Sequence, residues 1–216
     1  MTKTSRTTRP GARDRAIKEA EGLFIQHGYD GTSLRDIANT AEVNLGSLVY
    51  HFATKEGLFR AICDARLLPV IDLQTEQLAA CELRLAAGET LSLDDLFRTV
   101  FGPALRSSNL SGDLAGLYAL VFTDPSETVR VIGKDLFGES SQRMYRLARR
   151  LSPGLDEAEF FWRYVGIVGS VTIIQGFAGR LSYVLDVPQP EVSVDRLIDT
   201  TIGIIVRGLE GSSPTG

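Results

Sequence analysis

The sequence has little of the chemistry that enzymes and metal proteins need. It contains only two cysteines and two histidines in 216 residues, and Cys63 and Cys81 lie too far from His27 and His51 for the spacing of a zinc site. The sequence also lacks a P-loop, a dinucleotide-binding glycine pattern and a Gly-x-Ser-x-Gly motif. We therefore expect a protein that is not an enzyme, with no cofactor, and two reduced, buried cysteines.

Long apolar runs are absent as well. Residues 1–15 lack the apolar segment of a signal peptide. The most apolar stretch, Val165 to Phe177, is interrupted by glycines and polar residues, and it is shorter than the roughly 20 apolar residues that span a bilayer. These two absences predict a cytoplasmic protein that does not bind a membrane.

Positive charge is scarce overall but concentrated at one end. The net charge is -4, yet the residues up to Lys18 carry six bases and one acid, whereas those from Leu67 onward carry 13 bases and 19 acids. A basic leader before an acidic body is typical of a protein that touches phosphate with one end. A solvated, disordered tail is the alternative interpretation of the same charges.

Apolar residues recur at helical spacing along the chain, and no segment alternates as a half-buried strand does. This pattern predicts an all-α protein with about nine helices. Pro69 is expected to bend the fourth helix or to end its first part. The predicted helices cover residues 11–26, 33–41, 45–52, 54–78, 93–101, 114–122, 126–151, 156–184 and 194–209.

Capping residues mark the starts of the second, third and fourth helices. Ser33 is a good N-cap, with Asp36 in the place of the usual capping-box glutamate, and Asn44 and Thr54 cap the next two helices. The second and third helices are short and joined by a tight turn, which is typical of a helix-turn-helix reader of DNA. An ordinary helical hairpin is the alternative.

The third helix is expected to enter the major groove of DNA. Leu48 and Phe52, four residues apart, should face inward, which leaves the other side of the helix for bases. Ser33, Thr54 and Lys55 lie at helix N-termini, where free N–H groups attract phosphate. The residues of the third helix expected to face DNA are Leu45, Gly46, Ser47, Val49, Tyr50 and His51.

Three motifs at the correct mutual spacing, residues 28–38, 41–52 and 54–58, closely resemble the DNA-binding domain of the tetracycline-repressor (TetR) family. The resemblance implies a homodimer whose C-terminal domain binds a small molecule. Many members have a base where Leu45 stands and an aromatic where Val49 stands, and residues 43–45 look closest to fatty-acid-responsive members. The DNA contacts that the resemblance implies are Ser33, Leu34, Asn44, Leu45, Gly46, Ser47, Val49, Tyr50, His51 and Lys55.

Beyond residue 67 the sequence suggests regions rather than sites. Its many aromatics, including Phe177, could line an apolar cavity or simply fill a core. The last two predicted helices, 156–184 and 194–209, are apolar over a wide face, and their glycines at 166, 169, 176 and 179 allow a close approach of a second chain. Burial of this face within one chain is the alternative.

These observations predict four segments and one function. The segments are a disordered basic leader (1–11), a helix-turn-helix DNA-binding domain (12–58), a ligand-binding and dimerisation domain (59–210) and a disordered tail (211–216). The expected function is that of a repressor that a small apolar or amphipathic effector releases from double-stranded operator DNA. The expected homodimer forms through the last two helices. The alternative is a helical adaptor that retains the motif and binds only protein.

Overall fold

The computed structural model describes residues 11–107, 113–176, 178–188 and 190–210, without the side chains of 103–105, 107, 113 and 171–180. The predicted tail and all of the predicted leader except Gly11 lie outside these residues. The described residues contain helices and no strand, which confirms the all-α prediction. The ten helices are α1 (Ala12–His27), α2 (Leu34–Thr40), α3 (Leu45–Phe52), α4 (Lys55–Ala86), α5 (Leu93–Ser107), α6 (Asp113–Thr123), α7 (Glu127–Arg150), α8 (Glu157–Gly176), α9 (Ala178–Leu185) and α10 (Val194–Glu210).

The tenth helix comes from the segment predicted as one helix over 156–184. In the structure α8 and α9 cover this segment on either side of Phe177, which lies outside the described residues. Two helices continue beyond the points expected from the sequence: α4 continues through Pro69, and α5 continues past residue 101 to Ser107. A single proline removes one hydrogen bond, and the packing of a long helix can compensate for that loss.

The chain divides into two compact units, with the boundary between Ala65 and Arg66. The sequence analysis placed a boundary after residue 58. The difference arises because the first turns of α4 pack into the first unit, where the Phe59 ring lies edge-on to those of Phe24 and Tyr29 at 5.1 and 5.3 Å between centroids. The first unit therefore includes α1, α2, α3 and the start of α4.

A strained turn connects α3 to α4. Ala53 has a φ of +61° and a ψ of -51°, and across it the N–H of Thr54 donates to the carbonyl of Phe52 at 2.7 Å. This is the rare γ-turn with a positive φ, which costs free energy in any residue with a side chain. Because the turn uses one residue, the end of α3 and the start of α4 are held close together.

The second unit has a core of its own. Helix α10 packs against α5 and α8, and α6 packs against α7 and α8. The Arg143 guanidinium on α7 donates twice to the Glu82 carboxylate on α4, at 3.1 and 2.8 Å, and Arg163 on α8 donates to the carbonyl of Gly208 on α10 at 2.9 Å. In the described part of the chain, no helix is both long enough and apolar enough to cross a bilayer.

Candidate functional site

Helix α3 has one buried and one exposed face. Leu48 and Phe52 are 2% and 8% exposed, as the four-residue spacing predicted, whereas Tyr50 is 86% exposed. Leu45 and Val49 are partly exposed, at 37% and 47%. The exposed face therefore presents one large aromatic group with a hydroxyl, flanked by apolar side chains that can meet thymine methyl groups.

The N-terminus of α3 is held by Asn44. Its side-chain oxygen accepts a hydrogen bond from the N–H of Gly46 at 2.7 Å, and its main-chain oxygen accepts from the N–H of Ser47 at 2.9 Å. Ser47 is half-buried and His51 is exposed, with its ring 5.3 Å from that of Tyr50 in an edge-on arrangement. Asn44 thus fixes the first turn of the helix that would enter the groove.

Ser33 caps α2 through a reciprocal pair with Asp36. The hydroxyl of Ser33 accepts from the N–H of Asp36 at 3.2 Å, and the Asp36 carboxylate accepts from the Ser33 N–H at 3.1 Å and from its hydroxyl at 2.5 Å. These hydrogen bonds from the Ser33 side chain and backbone hold the pKa of Asp36 below its usual value. The capping box is confirmed. A phosphate at Ser33 would lie beside an ionised carboxylate, so the predicted contact there stays a prediction.

Lys55 has a structural partner that its sequence position did not indicate. Its ammonium donates to the carbonyl of Tyr29 at 3.0 Å and lies 4.1 Å from the centroid of the Tyr29 ring. Tyr29 is only 5% exposed and stacks on Phe24 in the core. Lys55 therefore fixes the start of α4 to the segment that follows α1, in addition to any contact with phosphate.

We expect Lys55→Ala to lower the free energy of unfolding by about 2 kcal/mol, because it removes a cation–π contact and a charged hydrogen bond together. Urea denaturation followed by circular dichroism measures the effect. Lys18→Ala, at an exposed position of α1, is the control and should change stability by less than about 0.5 kcal/mol. Equal midpoints for the two variants would contradict the structural role.

Arg13 is a residue that the sequence analysis counted only as charge. Its guanidinium lies 5.7 Å from the centroid of the Phe52 ring, at the end of α3. Arg15, two residues further along α1, donates from Nε to the carbonyl of Ala41 at 3.4 Å. Basic side chains of α1 therefore lie beside both helices of the motif. The residues near Arg13 and Arg15 in the sequence do not indicate these contacts, because the contacts depend on how α1 packs against α2 and α3.

The second unit contains a partly open cavity of about 200 Å³. Six of its lining residues are aromatic. Among the other aromatic residues beyond residue 67, Phe160 is buried in the core, while Phe161 and Trp162 are 47% and 69% exposed. Both interpretations of the aromatics, cavity lining and core, therefore apply. The described lining residues are Gln74, Leu78, Phe97, Val100, Phe101, Tyr118, Phe122, Phe137, Ser140, Ser141, Met144, Tyr164, Ile167 and Val168.

The two cysteines are buried free thiols, as expected of packing residues. Burial raises the pKa of Cys63 to about 12 and also raises that of Cys81. Thiols with raised pKa values are poor nucleophiles near neutral pH. Within the described ranges, no three histidine, cysteine or acidic side chains come together as a metal site would require.

Comparison with known proteins finds one family match in the N-terminal part of the chain and another in the C-terminal part. Residues 16–62 match the family described as bacterial regulatory proteins, tetR family, and residues 98–208 match the tetracyclin repressor-like C-terminal domain. The HTH-type transcriptional regulator TcmR of Streptomyces glaucescens is 31% identical over 138 residues, which cover 63% of this chain and 57% of TcmR. The HTH-type transcriptional repressor ComR of Escherichia coli K12 is 46% identical over 52 residues, which cover 24% of this chain and 25% of ComR.

The fold is also that of a solved relative. A TetR-like transcriptional regulator from Rhodococcus sp. RHA1 superposes with a TM-score of 0.60 at 20% identity, covering 96% of this chain and all of that one. The C-terminal match alone spans about half of the sequence. The chain belongs to the TetR family of bacterial regulatory proteins.

Proposed function

We propose that this chain is a dimeric repressor that binds operator DNA through α3 and is released by a small molecule bound in the cavity of the second unit. One observation carries the DNA-binding part: α3 buries Leu48 and Phe52 while it leaves Tyr50 86% exposed. The same helix also exposes Leu45 and Val49, at 37% and 47%, and exposed apolar side chains that lie together mark interaction surfaces more often than single ones do. The names of ComR and TcmR, an HTH-type repressor and an HTH-type regulator, support the same assignment.

The proposed DNA contacts combine base and phosphate recognition. Tyr50 and His51 offer hydrogen-bond donors to base edges, and Val49 offers a methyl-lined surface to thymine. The Lys55 ammonium has donors beyond the one that the carbonyl of Tyr29 accepts, and we propose that they contact a phosphate and so position the helix. Ser33, Leu34, Asn44, Leu45, Gly46 and Ser47 complete the proposed surface.

The test is selection of duplexes from a random pool by the full chain, followed by gel shift at increasing salt. A DNA reader should enrich a palindromic sequence with half-sites about 34 to 36 Å apart or a multiple of that distance. Its affinity should fall steeply with salt, by about 0.9 logarithmic units per phosphate contact for each tenfold rise in salt. No enrichment, together with salt-independent or absent binding, would favour the alternative of a protein-binding adaptor.

The proposed homodimer forms through the exposed side of α8 with α10. On α8 the side chains of Phe161, Trp162 and Val165 are exposed although their neighbours Phe160 and Ile167 are buried. A Cβ atom added at Gly166 or Gly169 would meet nothing within 4 Å, so a second chain can approach the backbone there. On α10 the outward side includes Ile204, which is 44% exposed. Gly176 and Gly179 lie in residues 171–180, whose side chains the structure does not describe.

We expect Trp162→Arg to weaken dimerisation at least about 30-fold, because it replaces an aromatic side chain that the proposed dimer would bury by an unpaired charge, at a cost of about 2 kcal/mol or more. Sedimentation velocity over a range of protein concentrations measures the dissociation. Leu83→Arg, on α4 at 72% exposure, is the control and should remain dimeric like the wild type. A dimeric Trp162→Arg variant would exclude this face as the interface.

The proposed induction rests on differential affinity. An effector releases DNA only if it binds the conformer with misaligned reading helices more tightly, typically by about 1 to 3 kcal/mol, or about 5- to 150-fold. Helix α4 is the proposed link, since the same helix begins with Lys55 in the first unit and includes the cavity residues Gln74 and Leu78. A ligand that binds the protein without changing its DNA affinity would remove induction and leave DNA binding intact.

A further inference from the structure

The cavity of the second unit contains polar groups that the protein itself leaves unpaired. Gln74 on α4 is 6% exposed and lines the cavity. Within the described residues its amide takes part in no hydrogen bond, and the same holds for the hydroxyls of Tyr118 and Tyr164. Ser140, in contrast, donates to the carbonyl of Phe137 at 3.1 Å. An amide that lines a cavity and has no partner in the protein is available to a polar group that enters the cavity.

The surroundings of these groups disfavour charge. The described lining residues are all uncharged, and apart from Gln74, two serines and two tyrosines they are apolar. Burial raises the pKa of Tyr118 to about 12 and also raises that of Tyr164, with smaller contributions from its tyrosine neighbours. An environment that keeps a phenol neutral also penalises a ligand carboxylate that has no counter-ion.

The aromatic rings offer flat surfaces. Phe97 and Phe101 lie nearly parallel, with 7° between their planes and 5.9 Å between centroids. Tyr118 meets Phe137 edge-on at 5.2 Å and 75°. Parallel and edge-on faces are the arrangements in which aromatic rings prefer to receive another ring. A ligand that contains an aromatic ring can extend these contacts, because the same rings line the cavity.

We propose that the cavity binds an uncharged, ring-containing molecule with hydroxyl or carbonyl substituents, and that Gln74 is the residue that recognises those substituents. The amide of Gln74 can donate to a carbonyl and accept from a hydroxyl, so it suits either group. The role of this ligand as an effector rests on the proposed function, whereas its binding in the cavity does not. It narrows the expected apolar or amphipathic effector to a neutral one and disfavours a fatty-acid anion.

The test compares three probes that share one ring system, titrated calorimetrically into the full-length protein at neutral pH. 2-Naphthol is neutral with a hydroxyl, naphthalene is neutral without one, and 2-naphthoate is an anion. We expect 2-naphthol to bind at least about tenfold more tightly than naphthalene, because naphthalene has no hydroxyl to pair with the Gln74 amide. We expect 2-naphthoate to bind most weakly of the three. Tightest binding by 2-naphthoate would overturn the assignment of a neutral ligand.

The variant Gln74→Met keeps the side-chain volume and removes the amide. We expect it to bind 2-naphthol and naphthalene equally, with naphthalene binding unchanged from the wild type. Its melting temperature should equal or exceed that of the wild type because an unpaired buried amide is gone, which controls for folding. An unchanged preference for 2-naphthol in Gln74→Met would overturn the role of Gln74.

Failure of this inference is distinguishable from failure of the proposed function. If none of the probes binds while gel shift still detects specific DNA binding, the ligand inference is wrong and the DNA-binding proposal stands. If 2-naphthol binds through Gln74 but the protein selects no duplex, the inference stands and the DNA-binding proposal is wrong. The two measurements use the same protein preparation and do not depend on each other.

Discussion

Gly57→Ala should destabilise the first unit by at least about 3 kcal/mol and abolish DNA binding. A Cβ atom at position 57 would lie 2.2 Å from the carbonyl oxygen of Phe52, which is backbone and cannot rotate away. That carbonyl also accepts the hydrogen bond that closes the turn at Ala53, and the N–H of Gly57 donates to the capping hydroxyl of Thr54 at 3.0 Å. Relief of the clash therefore requires the end of α3 to move away from the start of α4.

Denaturation by urea and gel shift on selected duplexes measure the two effects. Gly22→Ala is the matched control, since a Cβ atom there would meet nothing within 4 Å and the residue lies inside α1. A glycine-to-alanine change inside a helix should stabilise by about 0.5 to 1 kcal/mol. Two variants with the same unfolding midpoint would show that the close approach at Gly57 is unimportant.

Tyr50→Ala should reduce affinity for the selected duplex at least about 30-fold while leaving stability within about 0.5 kcal/mol of the wild type. A side chain that reads a base contributes about 1 to 3 kcal/mol of discrimination, and a dimer loses that contribution at both half-sites. The fold should not suffer because Tyr50 is 86% exposed, with a ring contact to its exposed neighbour His51.

Gel shift gives the affinity, and thermal unfolding gives the stability. Tyr50→Phe separates the ring from the hydroxyl: full affinity would assign the contribution to packing, and a loss as large as that of Tyr50→Ala would assign it to the hydrogen bond. Leu83→Ala, at an exposed position of α4, should bind DNA like the wild type. Tyr50→Ala with unchanged affinity would mean that α3 does not place this residue on a base.

The prediction from sequence was most successful where the determinants are local. Ser33 with Asp36, Asn44 with Gly46 and Thr54 with Gly57 form the caps that the order of residues indicated. A cap requires a polar side chain two or three residues before the N–H that it satisfies, and such a spacing is visible in one dimension. The inward direction of Leu48 and Phe52 follows in the same way from a spacing of four.

The prediction was least successful where residues far apart in sequence meet. The sequence predicted a phosphate contact for Lys55, but it did not predict the packing of Lys55 on Tyr29, which lies 26 positions earlier. Phe59 packs with Phe24 and Tyr29, and the spacing of residues along α4 does not reveal that contact. Gln74 carried no signal at all: a polar residue in an amphipathic helix is expected to face water, and only its burial beside a cavity distinguishes it.

The order of residues alone thus determined that the chain is helical, where most of its helices begin, and which face of α3 stays exposed, because helix periodicity and capping act within a few residues. The tertiary structure decided how Lys55 and Arg13 are held, which aromatic residues line a cavity, and that Gln74 is buried without a partner. These features depend on contacts between helices, and the spacing of residues along one helix does not encode them.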